Sequence, residues 1–436
     1  MQNQANWNSE SQVSIPRATS GRKIWLRVGT LFDGEQEPIH DAHIVYDAER
    51  ILFAAERKKL PPSNLLNPGQ THPDLELPHF TLIPGLIEAH AHLFLEGGEL
   101  DPAQRALLLK RSDGEMFEAA EKRLRQLVSL GICGVRDAGD KFGVGLALNK
   151  LTSSKQNSPM PYIDSPGTAI HHRGEYGSFM AEAIEDFPSL KECVLSNIRS
   201  GAERIKLIVS DVIDFKSGSV SKKPQLTSDE VRQFTTLAKE FSKQTMAHAT
   251  GDLGIENAIE GGIDSIEHGF FIRNDQLKRM RDLGIAWAPT FAPVQKQIDH
   301  AGRFGWDEKI VSTLKKIMDQ HSTSLVRGDS LGVQIVAGSD AGAAGVPHGL
   351  GLFEELSLME RAGLSPLTVL RCATGNSSYR LRFKEKIGLI KPGYRPRFIL
   401  TRHSPLDRIG NLKKEKYVIF DGAVFHNNGS ADPHGL

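Results

Sequence analysis

Between residues 81 and about 375, short apolar runs alternate with longer segments whose apolar residues recur every three or four positions. The short runs predict strands, and the longer segments predict helices. The predicted strands span 81–87, 133–138, 161–169, 204–210, 244–248, 264–267, 285–289 and 333–338. The predicted helices span 115–131, 181–200, 227–242, 253–260, 274–283, 308–330 and 350–362. Eight strands that alternate with helices predict an α/β protein with a closed (β/α)8 TIM barrel.

The two ends of the chain show a different pattern, in which short strands are separated by turns. Residues 24–57 contain such runs, residues 58–80 hold several Pro, Asn and Gly residues, and strand patterns return after residue 385. The polar N-terminus lacks the apolar region of a secretory signal. The predicted domains are a flexible leader (1–23), a small β-sandwich-like domain built from both chain ends (24–80 and 385–436) and the barrel (81–384).

Composition narrows the classes of partner. The 436 residues include 53 basic and 53 acidic side chains and only 7% aromatic residues, so neither nucleic acid nor a membrane surface is an expected partner. No apolar run reaches the length of a membrane-spanning helix. The cysteines, Cys133, Cys193 and Cys372, form no Cys-x-x-Cys pair, which predicts reduced thiols and a cytoplasmic location. A small-molecule substrate is expected, and assembly into a homo-oligomer stays open.

Polar residues of one chemical type end several of the predicted strands. His90 and His92 are two positions apart, so on a strand both imidazoles point to the same side and could bind one metal ion. Because the chain has 16 histidines, such a pair alone is weak support. The fourth, fifth, sixth and eighth strands add Lys206, His248, His268 and Asp340. The carboxyl ends of barrel strands meet at one face, so these residues predict a single metal site.

The loop after the third predicted strand holds four candidate substrate-binding residues, His171, His172, Arg173 and Tyr176. Loops at this end of a barrel line its mouth. Arg forms paired hydrogen bonds with carboxylates, and His can donate another, so the loop predicts recognition of an acidic substrate group. A solvated surface loop without such a role is the alternative.

Two further polar groups have less specific interpretations. Arg136 and Asp137 end the second predicted strand and are more typical of an internal ion pair that shapes the barrel mouth than of catalytic groups. His348 follows the eighth strand. It is a candidate substrate-binding residue, and a purely structural role in its own loop is the alternative.

Six segments of the chain together resemble a known group of enzymes. They are IPGLIEAHAHL, LGICGVRDAGD, AERIKLI, AHATG, DSIEHG and AGSDAG, in this order. Over residues 24–400 the chain resembles the amidohydrolase superfamily, in particular its imidazolonepropionase-like and Xaa-Pro dipeptidase-like branch. The resemblance implies two zinc ions per chain. It places His90, His92 and Asp340 on one ion, His248 and His268 on the other, and carbamylated Lys206 between them.

The resemblance implies a hydrolase for an amide-type C–N bond of a small molecule, such as a dipeptide, an N-acyl amino acid or a cyclic amide. Metal ions lower the pKa of bound water from 15.7 to about 7, so that hydroxide can attack a polarised carbonyl. Asp340 is expected to act as the catalytic residue that moves the proton of this water to the leaving nitrogen. Phosphoester or lactone hydrolysis and an inactive binding barrel are alternatives. A Lys206 that is not a ligand would leave a one-metal site.

Two positions depart from the pattern of the dipeptidase-like relatives. Those relatives often carry Tyr two residues after the histidine of the fifth strand, where this chain has Thr250. The departure removes a phenol that could polarise the substrate and weakens the assignment as a dipeptidase. Near the end of the chain, the usual Pro-Gly-x-x-Ala-Asp-Leu reads PGYRPRF from Pro392. This segment belongs to the predicted β-domain, so it bears on stability more than on chemistry.

Overall fold

The computed structural model describes residues 13–140, 142–154, 159–180, 182–220 and 222–429. The strands are β1 (Ile24–Leu31), β2 (Ile39–Tyr46), β3 (Ile51–Glu56), β4 (Leu75–Pro84), β5 (Leu86–Ala91), β6 (Ile132–Asp137), β7 (Tyr162–Asp164), β8 (Ala169–Ile170), β9 (Arg204–Ile208), β10 (Gln244–Ala249), β11 (Ser265–His268), β12 (Ala286–Ala288), β13 (Gln334–Ile335), β14 (Arg397–Thr401), β15 (Lys416–Phe420) and β16 (Ala423–Asn427). The α-helices are α1 (Pro102–Leu108), α2 (Asp113–Leu130), α3 (Val144–Ser153), α4 (Leu190–Ser200), α5 (Ser228–Glu240), α6 (Asp252–Glu260), α7 (Asn274–Leu283), α8 (Ala292–Asp299), α9 (Ala301–Phe304), α10 (Glu308–Leu331), α11 (Leu350–Arg361), α12 (Pro366–Ala373) and α13 (Gly375–Leu381).

Eight parallel segments form the barrel, which confirms the fold class predicted from the sequence. In order around the barrel they are β5, β6, β7 with β8, β9, β10, β11, β12 and β13. The third segment is split because residues 165–168, Ser-Pro-Gly-Thr, interrupt its pairing. The ring closes between its last and first strands, where the Ala89 amide donates to the Ala337 carbonyl at 2.8 Å and the Asp340 amide donates to the His90 carbonyl at 2.8 Å.

Helix α2 shows how the sequence produces these elements. Its buried face includes the residues expected from their spacing, Met116, Ala120, Leu124 and Leu127. Ser112 caps the helix, because its hydroxyl accepts from the Glu115 amide while the Glu115 carboxylate accepts from the Ser112 amide. Gly131 ends the helix with a φ of 84°, and a Cβ there would lie 2.4 Å from the Ile399 side chain. Glycine at this position therefore permits both the turn and the close approach of β14.

The chain ends form one seven-stranded sheet, in the order β16-β15-β14-β4-β1-β2-β3. The sheet folds over itself, since the rings of Tyr46 in β2 and Phe398 in β14 lie 5.4 Å apart although two strands separate them in the sheet. Within β14, Phe398 and Leu400 face the small core inside this fold, whereas Ile399 faces the barrel core. The period of two along the strand thus produces a sandwich-like domain that also packs on the barrel.

The run predicted as one strand over 81–87 is shared by two sheets. Its first part belongs to β4 in the seven-stranded sheet, and its last part begins the first barrel strand, β5. Gly85 joins them and donates its amide to the Arg397 carbonyl at 2.7 Å. A Cβ at Gly85 would lie 2.8 Å from the Cβ of Cys133. The residues are apolar and buried on both sides of this junction, so the hydrophobic pattern does not reveal where one sheet ends.

The helices differ from the prediction mainly where they are short or follow proline. In the segment predicted as helical over 181–200, Ala181 lies outside the described residues and α4 begins only at Leu190. Pro188 disfavours helix in the residue before it, and the Ser189 hydroxyl then caps α4 by accepting from the Glu192 amide. Six helices were not predicted, α1, α3, α8, α9, α12 and α13. Each is ten residues or shorter and so shows little periodicity.

Of the segment predicted as a flexible leader, residues 1–12 lie outside the described residues, whereas the part from Val13 contacts the β-domain. The Val13 amide donates to the Tyr417 hydroxyl at 2.9 Å, and the Ala18 amide donates to the Gly422 carbonyl at 3.2 Å. Ile15 and Ala18 are buried in the small core. In the described part of the chain, no helix combines the length and the apolar character needed to cross a bilayer.

Candidate active site

A cavity of about 90 Å³ opens at the carboxyl ends of the barrel strands. All six residues predicted as metal ligands line it. They are His90, His92, Lys206, His248, His268 and Asp340. They come from β5 and the residue directly after it, from β9, β10 and β11, and from the segment after β13. The closed barrel thus brings residues together that are distant in the sequence.

The imidazoles and the carboxylate form one compact cluster. Asp340 Oδ1 lies 3.6 Å from His90 Nε2 and 3.5 Å from His92 Nε2. The ring centroids of His90 and His268 are 5.0 Å apart, and those of His248 and His268 are 4.5 Å apart. Asp340 has a φ of 57°, which is uncommon for a residue other than glycine. This backbone conformation is held by the hydrogen bond from its amide to the His90 carbonyl.

Three of the rings have one nitrogen held by a neighbouring oxygen, so that the other nitrogen is left for the cavity. The neighbours are the Gly139 carbonyl for His92 Nδ1 (3.2 Å), Thr290 Oγ1 for His268 Nδ1 (2.7 Å) and the Asp211 carbonyl for His248 Nε2 (3.4 Å). Partners of this kind fix the orientation and the tautomer of an imidazole that binds a metal ion.

A buried carboxylate, Glu267, holds the fourth ring. Its Oε2 lies 2.7 Å from His90 Nδ1 and also accepts from the Arg136 guanidinium at 2.7 Å. Arg136 donates in addition to the Ala89 carbonyl and to the Ser265 hydroxyl, which itself donates to Glu267 Oε1. Arg136 and Glu267 are both fully buried. The interpretation of Arg136 as part of an internal ion pair thus agrees with the structure, and its partner is the residue that orients His90.

Sequence reasoning missed Glu267, although a signal was present. It directly precedes His268 in DSIEHG, and the φ of 69° at His268 breaks the alternation of β11, so that both side chains reach His90. A carboxylate in the buried part of a barrel strand needs a cationic or hydrogen-bonding partner. Arg136, at the end of another barrel strand, was the candidate for that partner.

The four imidazoles are neutral at pH 7. Burial lowers the pKa of His92 and of His248 to about 3, and it lowers the pKa of His90 and of His268 well below the usual value. Neutral imidazoles keep the lone pair that a metal ion requires. His90 Nε2 is buried without a hydrogen-bond partner among the described residues. A buried, unsatisfied acceptor that faces other ligand atoms fits a metal ion.

Lys206 and Asp340 complete the cluster, and burial shifts their pKa values in opposite directions. Burial lowers the pKa of the Lys206 amine to about 8, and no hydrogen bond joins this amine to a described residue. Burial also raises the pKa of Asp340 to about 7, although the Lys206 charge acts against this rise. One ligand atom each of His90, His268 and Asp340 lie within 4.8 Å of one another. The set of imidazole and carboxylate donors therefore suits a divalent metal ion such as zinc.

The loop after the third barrel strand does not present all of its predicted residues to this cavity. His172 Nδ1 lies 2.7 Å from Glu185 Oε1 and His172 Nε2 lies 3.1 Å from Glu230 Oε1, while Arg173 pairs with Asp186. Hydrogen bonds to the two glutamates raise the pKa of His172 although its partial burial opposes the rise. Both side chains are thus engaged by carboxylates of the protein, so the predicted recognition of a substrate carboxylate by His172 and Arg173 has no support in this geometry.

Of the remaining candidate substrate-binding residues, His171, Tyr176 and His348, one lines the cavity and two do not. His171 is buried with its Nδ1 2.8 Å from the His172 carbonyl, and His348 Nε2 lies 3.1 Å from the His92 carbonyl. Among the described residues, the cavity lining includes Tyr176 but not His171, His172, Arg173 or His348. The structure therefore brings only the tyrosine to the predicted metal ligands, and His348 instead supports the backbone of His92.

The wall that faces the metal-ligand cluster is largely apolar. It consists of Met180, Ile208, Val212, Ile213, Phe215, Phe270, Pro293 and Val294, together with the hydroxyl-bearing residues Tyr176, Thr250 and Thr290. Among the described residues, this lining contains no arginine, and Lys206 is its one cationic side chain. The cavity thus has a polar end that suits metal chemistry and an apolar end that suits a hydrophobic substrate group.

Comparison with known proteins agrees with this geometry. The profile of the Amidohydrolase family matches residues 81–424, which is more than half of the chain and includes every predicted metal ligand. The chain belongs to the amidohydrolase family. Membership of this family supports a hydrolase that acts on C–N bonds.

Several relatives share both the barrel and the β-domain. Ochratoxinase from Aspergillus niger is 23% identical over 99% of this chain and 93% of its own length. Its crystal structure has a TM-score of 0.75, with 94% of this chain and 96% of that chain covered. A Xaa-Pro dipeptidase with methionine bound in its active site is 25% identical, with a TM-score of 0.77 over 93% of this chain and all of that chain. The similarity thus extends over nearly the whole fold.

Proposed function

We propose that this protein is a metal-dependent amidohydrolase that cleaves the amide-type C–N bond of a small molecule carrying an apolar group. The observation that supports this function is the cavity itself, in which neutral imidazoles, Lys206 and Asp340 face an apolar wall. The likeness to ochratoxinase and to a Xaa-Pro dipeptidase agrees with this class of reaction.

The proposed metal centre holds two zinc ions. His90, His92 and Asp340 would hold one ion, and His248 and His268 would hold the other. When bound, zinc polarises a carbonyl oxygen and lowers the pKa of water. The orphaned Nε2 of His90 and the lowered pKa of the four imidazoles support this assignment, because each favours a lone pair directed at a cation.

Lys206 would bridge the two ions as a carbamate. Its buried amine has a pKa of about 8, so about a tenth of it is neutral at pH 7, much more than for an exposed lysine. The neutral amine adds to carbon dioxide and releases one proton, which converts the side chain into a carbamate anion with two oxygens. An anion is the form that neighbouring cations stabilise, whereas an ammonium group between two metal ions would be repelled.

Metal content tests the bridge independently of turnover. Protein grown with zinc should hold about two ions per chain, and Lys206→Ala should lower this content because a shared ligand is lost. Metal analysis of the purified proteins measures both values. Lys416→Met is the matched control, since Lys416 is also a buried lysine with a pKa lowered to about 8 but lies in the β-domain and donates to the Leu412 carbonyl. A stable content of one ion that Lys206→Ala leaves unchanged would refute the bridge and favour a one-metal mechanism.

In the proposed reaction, water adds to the amide carbon, the C–N bond breaks, and the products are a carboxylate and an amine. Asp340 is placed to act as general base and general acid, because its carboxylate faces the cavity beside His90 and His92. It would accept a proton from the water as the C–O bond forms and deliver it to the nitrogen as the C–N bond breaks. A cation bound among these groups favours the ionised form of Asp340 that this role requires.

The apolar wall sets the expected substrate class. N-acyl amino acids, dipeptides and cyclic amides all contain the required bond, and those with an aryl or long alkyl group beside it would bury that group against Phe215, Ile213 and Val294. Each buried methylene contributes about 0.8 kcal/mol, which is about fourfold in kcat/KM. No cationic loop residue lines the cavity in the described part of the chain, so apolar contacts are expected to outweigh recognition of a carboxylate.

A hydrolysis screen over matched substrates tests this function. Dipeptides, N-acyl amino acids, hydantoins and lactones are compared, and N-benzoyl and N-octanoyl amino acids should have higher kcat/KM than their N-acetyl analogues. Val294→Thr keeps the size of the wall residue but adds a hydroxyl, so it should reduce this preference. Hydrolysis of lactones or phosphoesters with none of amides would replace the proposed reaction. Absence of both metal and turnover would identify an inactive binding barrel.

A further inference from the structure

We propose that Tyr176 is a catalytic residue of this cavity that donates a hydrogen bond from its phenol to the carbonyl oxygen of the substrate. The inference rests on the amide hydrolysis proposed above. It assigns to one side chain of the third-strand loop a hydrogen bond to the same carbonyl oxygen that a bound zinc ion would polarise.

The Tyr176 hydroxyl has no hydrogen-bond partner within the described part of the chain. It makes no hydrogen bond to a described residue, although the backbone carbonyl of Tyr176 accepts from Gln225 Nε2 at 3.0 Å. The side chain lines the cavity with His248 and Asp340. A largely buried phenol normally finds a hydrogen-bond partner. In this position the cavity offers it either solvent or a bound substrate.

The ring of Tyr176 has a defined position above the cluster. Its centroid lies 5.2 Å from the ring of His248, at an interplanar angle of 45°, and 5.7 Å from the ring of Phe179 on the other side. Aromatic contacts at these distances restrict the tilt of the ring. The ring is therefore held beside His248, at the metal-ligand end of the cavity.

The surrounding loop is built to keep the ring in place. Gln225 joins both sides of the loop, because its Oε1 accepts from the His172 amide at 2.8 Å while its Nε2 donates to the Tyr176 carbonyl. The backbone amide of Gln225 donates to the carbonyl of Val209, the residue directly after β9. The ion pairs of His172 with Glu185 and Glu230 add a second fixed point. The polar loop residues thus position the tyrosine instead of contacting substrate.

The hydroxyls of Thr250 and Thr290 are the other neutral side-chain donors that line the described cavity. Thr290 is engaged, since its Oγ1 lies 2.7 Å from His268 Nδ1. Thr250 lies two residues after His248. Its aliphatic hydroxyl is a weaker acid than a phenol, so it is a weaker hydrogen-bond donor than Tyr176. Tyr176 is thus the stronger donor of the two that are free.

The chemical role follows from where charge develops. As water adds to the carbonyl carbon, the carbonyl oxygen gains negative charge, and a hydrogen bond to that oxygen becomes stronger than it was in the bound substrate. The phenol keeps its proton throughout, so no bond of Tyr176 forms or breaks. A donor that acts mainly in the transition state lowers the barrier without tightening substrate binding.

Tyr176→Phe removes the donor and keeps the ring contacts. We expect kcat for the best amide of the screen to fall about 10²-fold, the lower end of what loss of one such donor costs, with KM changed by less than about threefold. Metal content should equal that of the parent. Binding of a phosphonate analogue, which mimics the tetrahedral species, should weaken by the same factor as kcat/KM, whereas binding of the carboxylate product should not.

Two control variants separate the possible outcomes. Tyr46→Phe removes the hydroxyl of a tyrosine in the β-domain, which is buried without a hydrogen-bond partner among the described residues, and should leave kcat unchanged. If Tyr176→Phe retains kcat within threefold of the parent while Thr250→Val loses it, Thr250 is the donor and the proposal is overturned. A parent enzyme that hydrolyses no amide overturns the proposed function first, and the inference with it.

A double-mutant cycle tests the positioning role of Gln225. Gln225→Leu should lower kcat in the parent but have little further effect in Tyr176→Phe, because both changes act on one hydroxyl. Additive losses in the double variant would show that Gln225 acts on the reaction by another route.

Discussion

Replacement of Asp340 by Asn is expected to lower kcat by about 10²–10⁴-fold, the typical cost of losing a positioned proton shuttle. The amide has almost the same size as the carboxylate and retains one oxygen beside His90 and His92, so the cluster should keep its shape. It cannot accept a proton from water at neutral pH, nor deliver one to the leaving nitrogen. Steady-state kinetics on the best amide substrate, with metal analysis of the same preparation, measures the effect.

The control for this variant is an aspartate at the opposite end of the barrel. Asp264 Oδ2 accepts from the amide and the hydroxyl of Thr245 near the start of β10, away from the cavity. Asp264→Asn should therefore reduce stability modestly and leave kcat close to that of the parent. If Asp340→Asn retains both its metal and a kcat within threefold of the parent, another group moves the proton and the assignment of Asp340 is wrong.

The barrel and the positions of the candidate ligands could be predicted because both follow from local patterns. Several of the apolar runs that become barrel strands carry a polar residue at or near their end, and parallel strands bring these ends to one face. The structure accordingly places all six predicted metal ligands in one cavity. Their role as ligands remains a prediction that metal analysis tests.

The side-chain directions in the third-strand loop could not be predicted, because they depend on partners that lie outside the short segment 171–176. His172 and Arg173 are ordinary candidates for binding an anion until Glu185, Glu230 and Asp186 are brought beside them by the fold. The sequence of this segment alone does not show that these carboxylates pair with His172 and Arg173. The backbone of Tyr176 is likewise bound by Gln225, from the loop that follows the next strand.

A large loss of stability is expected for Glu267→Gln. The change leaves Arg136 buried without a counter-charge, and removal of one partner of a buried pair typically costs about 3–5 kcal/mol. It also replaces the anionic partner of His90 Nδ1 by a neutral amide. Loss of such a partner typically lowers metal affinity about 10–100-fold, because the imidazole becomes less basic and less well oriented. Both effects should therefore appear together in this variant.

A second buried pair of the barrel separates these two effects. Asp164 and Arg204 are also almost fully buried and joined at 2.7 Å, but neither contacts a candidate ligand. Asp164→Asn should shift the urea midpoint of the metal-free protein about as much as Glu267→Gln, while zinc affinity, measured by competition with a chelator, stays at the parental value. A Glu267→Gln protein that loses stability but binds zinc like the parent would show that Glu267 only balances Arg136. Weaker zinc binding in Glu267→Gln alone would instead identify Glu267 as the group that holds His90 for the metal ion.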